Sequence, residues 1–343
     1  MDNLILFDES ILNNNLKKRS GETKFGEHVQ ILTNVCNIYE QLMDLDVEFV
    51  IFGIPEDVGV FANYGKTGTA RAWEATLKVL LNLQSNTFVP AKKTLILGEI
   101  NCSNEMETLN SLNQNKKSDI KKARELVSKI DSKVTFVIHQ IIKANKIPII
   151  IGGGQNNAYG IIKGTALAKS KAINAINFDK KADFRDEEGR HSGNGFSYAY
   201  AEGFLKKYFI FGLHEALVSD KVFKTMKKIK SISFCTFESI HITKDLKFKM
   251  AMQQALDHID SNHFGIEIDC GAIQDISSSD TSSSGFSVQN SRSFVTYFGG
   301  QENACYLHIS EASPQKKNPD KVGNLLAYLI TDFIKAKTTL KNK

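Results

Sequence analysis

The chain has 343 residues, of which 42% are hydrophobic, 24% charged and 9% aromatic. This balance supports a large buried core and excludes disordered, collagen-like and coiled-coil proteins. No window approaches the roughly 18 consecutive apolar residues of a membrane span. The net charge of +5 is spread along the chain apart from the tail over 335–343, so we expect neither a nucleic-acid nor a membrane partner.

The cysteines are odd in number and show no CxxC spacing, which predicts reduced thiols rather than a disulfide framework or a zinc ribbon. They are Cys36, Cys102, Cys235, Cys270 and Cys305. The N-terminal segment MDNLILFDES lacks the basic region and the long apolar region of a signal peptide. These features predict a soluble, cytoplasmic protein.

Short runs rich in Val, Ile and Phe recur along the chain, and each is almost continuously apolar. Such runs are typical of strands that are covered on both faces, as in a parallel sheet. The predicted strands are 47–54, 93–99, 147–153, 172–179, 208–213, 231–237, 263–270 and 304–310.

Stretches with helical spacing separate these runs, at 28–45, 70–84, 118–145, 156–170, 220–229, 247–261, 287–297 and 321–337. Strands that alternate with helices predict right-handed βαβ units. We therefore predict an α/β fold with three layers, α/β/α, around a mainly parallel sheet of about eight strands. The expected organisation is a loosely attached N-terminal arm over 1–25 and a single domain over 26–340, with a long surface loop over 100–117.

Polar residues close several of the predicted strands, and ligands bind outside the carboxyl ends of strands in such sheets. Asp179 and Asp183 follow one strand, while Glu267 and Asp269 share one face at the end of another. If these strands are neighbours, four carboxylates converge and a metal ion or a lysine ammonium must neutralise them. The alternative is a set of solvated loop acids with unrelated partners.

Five segments, in order, resemble the motifs of the arginase, agmatinase and formimidoylglutamase superfamily. The family pattern runs GGGH, DAHxD, a Ser-Gly substrate loop, DxD or ExD, and VEVNP. The segments here are GGGQNNAYG (152–160), FDKKADFR (178–185), GRHSGNGF (189–196), GIEID (265–269) and SEASP (310–314). A further segment, FGIPEDVGVFANYGKTG (52–68), is similar to the family's first strand and loop. The likeness therefore covers about 47–337, and HSGNGF points to the formimidoylglutamase branch.

This resemblance implies an arginase-like domain with two manganese ions bridged by a hydroxide, which attacks a guanidinium or formimidoyl carbon. By position, residues 155, 179, 183 and 267 would hold one ion, and residues 179, 181, 267 and 269 the other. The ligand would be an amino-acid-like small molecule. Family members commonly assemble as trimers or hexamers, so the resemblance also implies a homo-oligomer.

The chain departs from the family pattern at both histidine ligands, whose positions are taken by Gln155 and Lys181. An amide oxygen is a weak ligand for an ion that prefers imidazole, and a protonated lysine has no lone pair. We predict that the Lys181 ammonium takes the place of the second ion. One hard divalent cation, such as Mn²⁺, Mg²⁺ or Ca²⁺, remains possible. The predicted metal-ligating residues are Gln155, Asp179, Asp183, Glu267 and Asp269.

At the positions that bind substrate in the family, the chain matches the family pattern more closely than at the metal-ligand positions. By resemblance, Arg190, Ser192 and Asn194 bind the amino-acid end of the substrate. The resemblance also implies that Glu311 binds the reacting amidine nitrogens, and Glu311 and His191 are the candidate catalytic residues.

Two classes of function follow from these observations. The first is a formimidoylglutamase-like hydrolase of linear carbon-nitrogen bonds, working with one ion or with weakened affinity for two. The second is a catalytically silent relative that binds an amino-acid-like ligand or serves as a subunit of an oligomer. The kept substrate loop favours the first class, whereas Gln155 and Lys181 favour the second.

Two further uses of the motifs are disfavoured. The glycines at 152–154 are not followed by GK[ST], so a phosphate-binding loop is a poor interpretation. Cys270 adjoins Asp269, but the sequence places no histidine to activate the thiol as a nucleophile.

Overall fold

The computed structural model describes residues 3–32, 37–280 and 282–341, and Cys36 lies outside them. In the described residues the chain forms a nine-stranded sheet. The strands are β1 (Leu4–Leu6), β2 (Phe49–Gly53), β3 (Thr94–Ile100), β4 (Ile147–Ile151), β5 (Ile173–Phe178), β6 (Leu205–Leu213), β7 (Ile232–Thr236), β8 (Phe264–Asp269) and β9 (Ala304–Ser310).

Helices connect most of these strands. The α-helices of the described residues are α1 (Glu9–Asn15), α2 (Ile38–Asp44), α3 (Val58–Ala62), α4 (Ala72–Leu80), α5 (Ser103–Leu109), α6 (Lys117–Lys143), α7 (Asn157–Ala168), α8 (Gly195–Ala201), α9 (Asp220–Lys228), α10 (Phe248–Ile259), α11 (Val288–Gly299) and α12 (Asp320–Lys341). Short 3-10 helices span Phe25–Glu27, Thr69–Arg71, Ser192–Asn194, Glu215–Leu217 and Cys270–Ala272, and a π-helix spans Glu238–Ile242.

The strands run in the order β1-β3-β2-β4-β9-β8-β5-β6-β7. The pair β1 and β3 is antiparallel, and the other neighbouring pairs are parallel. Register places Phe178 of β5 beside Ile268 of β8, and Asp269 of β8 beside Ser310 of β9. The carboxyl ends of these three strands therefore lie side by side at one edge of the sheet.

Apolar residues cover both faces of the sheet and hold a layer of helices on each. One face packs against α4, α10, α11 and α12, and the other against α2, α6, α7 and α8. Helix α6 packs on the sheet because its buried residues recur every three or four positions and so form one apolar face, as at Ile120, Ala123, Val127 and Ile130. The predicted three-layer α/β/α fold with a mainly parallel sheet is confirmed.

Three local expectations differ from the structure. Residues 1–25 were expected to attach loosely, yet they provide β1, and Phe7 is only 1% exposed. The predicted loop over 100–117 contains α5, and the predicted helix over 28–45 is shortened to α2 in its described part. The division into an arm and one domain over 26–340 stays a prediction. No helix of the described residues combines the length and the apolar character needed to cross a bilayer.

Candidate metal centre

Three carboxylates meet at the carboxyl ends of β5 and β8. Asp179 directly follows β5, Asp183 lies four residues further on, and Asp269 is the last residue of β8. Because β5 and β8 are parallel neighbours, these residues reach the same edge of the sheet. One oxygen atom of each carboxylate lies within 4.8 Å of the other two, and all three residues are buried.

Hydrogen bonds from nearby residues fix the orientation of two of these side chains. Asp179 accepts from Asn177 Nδ2 at 2.9 Å and from the backbone N–H of Lys181 at 2.8 Å. Asp269 accepts from the backbone N–H of Gly271 at 2.5 Å. Asp183 adopts a φ of 42°, in the left-handed region that disfavours most side chains. Hydrogen bonds therefore hold the carboxylates of Asp179 and Asp269 in place before any ligand binds.

Burial raises the pKa of all three carboxyl groups. The pKa of Asp183 rises to about 7, and those of Asp179 and Asp269 also lie above their ordinary values. The charge of Asp269 adds to the shift at Asp179 and at Asp183. Within the part of the chain that the structure describes, none of the three forms an ion pair with lysine, arginine or histidine. A hard divalent cation, which takes carboxylate oxygens as ligands, fits such a group.

Glu267 lies outside this cluster, although four carboxylates were predicted to converge. Its Oε1 accepts from the Tyr306 hydroxyl at 2.7 Å, and its Oε2 lies 2.6 Å from His308 Nδ1. Gln155 Nε2 donates to the same Oε2 at 3.0 Å. Both carboxylate oxygens thus already have partners within the protein, so the predicted arrangement is corrected to three converging carboxylates.

Gln155 points its amide into the same buried network. Its Oε1, the atom predicted to bind an ion, accepts from the Ser310 hydroxyl. Its backbone N–H donates to Glu311 Oε1 at 2.7 Å. The structure therefore places Gln155 between Glu267 and Ser310, and its predicted role as a metal ligand is not supported by this geometry.

Lys181 lies at the rim of the site, with 38% of its side chain exposed. Its Nζ forms an ion pair with Asp280 and does not occupy the predicted position among the carboxylates. Burial lowers the pKa of Lys181, but the hydrogen bond to Asp280 and the charge of Asp183 outweigh it and raise the pKa overall. The ammonium is therefore charged, and its positive potential extends toward the cluster.

Glu311 closes β9 and is buried beside the carboxylates, in the left-handed region with a φ of 59°. It accepts from the Ser279 hydroxyl and from the Gln155 backbone. Burial, together with the charge of Asp269, raises the pKa of Glu311 to about 8. The role of Glu311 in binding the amidine nitrogens stays a prediction.

The loop after β5 is held by a buried ion pair. Arg190 pairs with Asp131 of α6 at 2.9 Å and donates to Asn194 Oδ1 at 2.7 Å. The Arg190 guanidinium lies over the rings of Tyr159 and Tyr198, at 4.6 and 4.9 Å from their centroids. Arg190 and Asn194, both predicted to bind substrate, are thus committed to holding the loop.

His191 and Ser192, the other two predicted residues of this loop, have different hydrogen-bond partners. His191 is fully buried, and burial lowers its pKa to about 3, so the imidazole is neutral. Its Nδ1 accepts from the Gly193 backbone, and its Nε2 lies 3.3 Å from Glu188. This arrangement gives His191 a capping role rather than the predicted catalytic one. The Ser192 hydroxyl accepts from Asn63 Nδ2 at 3.1 Å, and Ser192 is also buried.

A cleft of ≈ 460 Å³ opens beside Lys181 and Asp183. It is also lined by Asn63, Arg185 and Lys221, none of which is among the predicted site residues. Arg185 NH1 donates to Asn63 Oδ1 at 2.8 Å, and half of the Arg185 side chain is exposed. The sequence could have indicated two of them, because Asn63 lies in the family-like segment 52–68 and Arg185 in the segment 178–185. Cys270 is fully buried, and burial raises its pKa well above the ordinary value, so it is not poised as a nucleophile.

The residues present fit one ion better than two. The three-carboxylate cluster offers only oxygen ligands to a hard cation. The set predicted for a second ion is not assembled, since Lys181 pairs with Asp280 and Glu267 is held by Tyr306 and His308.

Comparisons with known proteins agree with this architecture. The sequence matches the model of the Arginase family over residues 47–335. A formimidoylglutamase of Streptococcus pyogenes is 26% identical over 233 residues, which are 66% of this chain and 65% of that relative. The match thus spans just under two thirds of the length of that curated relative.

Solved structures share the fold. The formimidoylglutamase of Bacillus subtilis superposes with a TM-score of 0.75 at 16% identity, covering 97% of this chain and 96% of the other. A formiminoglutamase of Trypanosoma cruzi, solved with Mn²⁺, has a TM-score of 0.69 at 18% identity and covers 88% of this chain and 98% of its own. The resemblance predicted from the motifs is confirmed, and the chain belongs to the arginase family.

Proposed function

We propose that the protein is a formimidoylglutamase-like hydrolase that holds one divalent cation and cleaves a linear carbon-nitrogen bond in an amino-acid-like amidine. The observation that carries the proposal is the buried cluster of Asp179, Asp183 and Asp269, with which no described lysine, arginine or histidine forms an ion pair. The relatives in this branch include a protein solved with Mn²⁺, and Mn²⁺ is therefore the first ion to test.

The three carboxylates would hold the ion, and the remaining residues would hold the substrate. When bound, a divalent cation acts as a Lewis acid and supplies hydroxide near neutral pH. The buried Glu311 would accept the cationic amidine end of the substrate. Arg185 faces the cleft, and its guanidinium donates to Asn63 at 2.8 Å and pairs with Glu188 at 3.0 Å. Half of its side chain is exposed, unlike the buried Arg190, and its remaining N–H donors would bind a carboxylate at the amino-acid end. The charges of the cleft thus match a zwitterionic substrate with an amidine at one end.

A catalytically silent, ligand-binding relative is the second candidate. It is favoured by the internal partners of Gln155 and Glu267, which leave two family ligand positions without free oxygen atoms. Under either function, we expect a homo-oligomer of three or six chains and a cytoplasmic location.

Metal content and hydrolysis measured on the same preparation test the proposal. We expect chelator-treated protein to take up one Mn²⁺ per chain and then to release formamide from N-formimidoyl-glutamate. Asp269→Asn should lose both properties, whereas Asp220→Asn, which changes an exposed ion pair with Lys224, should lose neither. One bound ion without turnover on formimidoyl-glutamate, arginine or agmatine would favour the silent relative. Absence of metal binding would refute the proposed centre.

A further inference from the structure

Asp280 links the segment after β8 to two lysines at the rim of the candidate metal centre. Its carboxylate forms an ion pair with Lys181, and its backbone carbonyl accepts from Lys180 Nζ at 2.6 Å. Lys180 is nearly fully buried, with 2% of its side chain exposed, and its Nζ also lies 3.6 Å from Asp280 Oδ2. Asp280 is therefore the anionic partner of both lysines.

The backbone that carries Asp280 is anchored on its N-terminal side. The Ser279 N–H donates to the Glu311 carbonyl at 3.0 Å, and the Ser313 N–H donates to the Ser277 carbonyl at 2.9 Å. The Ser279 hydroxyl donates to the Glu311 carboxylate. The position of Asp280 is thus fixed relative to the end of β9.

Lys181 has a second set of anions within electrostatic reach. The charges of Asp183 and Asp269 act on its ammonium alongside that of Asp280. The backbone N–H of Lys181 already donates to Asp179, which places the residue beside the cluster. Since Lys181 has a flexible four-carbon stem, its ammonium could neutralise the cluster if Asp280 did not bind it.

We propose that Asp280 is a positioning residue for the candidate metal centre: it holds the Lys181 ammonium at the rim and so leaves Asp183 and Asp269 to a divalent cation. Without the Asp280 charge, Lys181 turns inward and competes with the ion for the same carboxylates. The inference rests on the proposed function, because it requires that the cluster binds a cation.

A double-mutant cycle on Mn²⁺ affinity, measured by calorimetry on the full chain after chelator treatment, tests this role. Asp280→Asn removes the charge but keeps the shape of the side chain, and it should weaken Mn²⁺ binding about tenfold or more. In the Lys181→Met background the same change should cost less than about threefold, because the competitor is absent and only the direct loss of charge remains. Lys181→Met alone should bind Mn²⁺ at least as tightly as the parent.

Asp220→Asn is the matched control, since it also removes one acid from a lysine pair, and its Mn²⁺ affinity should equal that of the parent. Asp280→Ala replaces Asp280→Asn if the latter does not fold. An equal loss of affinity from Asp280→Asn in both backgrounds would overturn the role of Lys181 while leaving the proposed centre intact. A parent protein that binds no Mn²⁺ while Lys181→Met does would overturn the role of Asp280 instead, because Lys181 would then exclude the ion despite its ion pair with Asp280. Absence of binding by every variant, Lys181→Met included, would instead refute the proposed centre.

Discussion

Arg190 and Glu267 illustrate how the partner of a charged residue decides its role. Arg190 lies in a motif that suggests substrate binding, but its guanidinium is used by Asp131, Asn194 and two aromatic rings. Glu267 lies at a ligand position, but its oxygens are used by Tyr306, His308 and Gln155. Sequence spacing identifies such residues and places them near the site. It does not reveal which neighbouring side chains form ion pairs or hydrogen bonds with them.

Arg190→Met tests the structural role of this arginine. The substitution leaves the Asp131 carboxylate buried without its cation, and burial already raises the pKa of Asp131. We expect a loss of about 3 to 5 kcal/mol in the free energy of unfolding, measured by urea denaturation. Lys224→Met, which breaks an exposed pair with Asp220, should change it by less than about 1 kcal/mol. A stable Arg190→Met variant with weakened substrate binding would restore the predicted substrate role.

The raised pKa values of the site predict a pH dependence of stability in the metal-free protein. The pKa of Asp183 is about 7 in the folded chain against an ordinary 3.8, and that of Glu311 is about 8 against 4.5. At a pH between the ordinary and the raised pKa of each group, the folded chain binds more protons than the unfolded chain. The free energy of unfolding therefore falls as pH rises through this interval. The melting temperature should therefore drop from about pH 5 to about pH 8, less steeply in Asp183→Asn. A melting temperature that rises over this interval would contradict the assignment.

At the scale of elements, length and periodicity decide what the sequence can predict. The long amphipathic pattern over 118–145 predicts a helix that closely matches α6 (Lys117–Lys143). Strand β1 has three residues, and α5 and α8 have seven each, too few to show a period. Strand β1 exists because the exposed edge of β3 accepts it, with Leu4 opposite Ile100. Such elements depend on tertiary pairing, which a local pattern does not contain.

Phe7 provides a test of how firmly the N-terminal strand is attached. Its side chain is 1% exposed and packs in the core beneath the sheet, whereas Ile5 on the same segment is 41% exposed. Phe7→Ala should cost about 3 to 5 kcal/mol in the free energy of unfolding, measured by chemical denaturation. Ile5→Ala serves as the control and should cost much less. Equal, small effects of both changes would show that residues 1–25 behave as the loosely attached arm expected from the sequence.

At the scale of the whole molecule, the sheet order assembles the site from distant segments. Strands β9, β8 and β5 are neighbours, so Glu311, Asp269 and Asp179 meet although they are far apart in sequence. The alternation of strands and helices predicts that such an edge exists, and the family motifs predict which residues occupy it. The hydrogen-bond partners of Gln155, Glu267 and Lys181 could not be predicted, because they depend on side-chain packing around positions where this chain departs from the family.

Because Asp179 and Asp183 follow β5 while Asp269 ends β8, a bound cation would connect two parts of the chain and stabilise the folded molecule as a whole. We expect Mn²⁺ to raise the free energy of unfolding by about 2.7 kcal/mol at a hundredfold excess over its Kd. The measurement is a series of melting curves at increasing Mn²⁺ concentration, with chelator restoring the starting value. Asp269→Asn should abolish the dependence, and Asp220→Asn should keep it. A melting temperature that ignores Mn²⁺ in the parent, or that responds equally in Asp269→Asn, would mean that the ion does not bind at the three carboxylates.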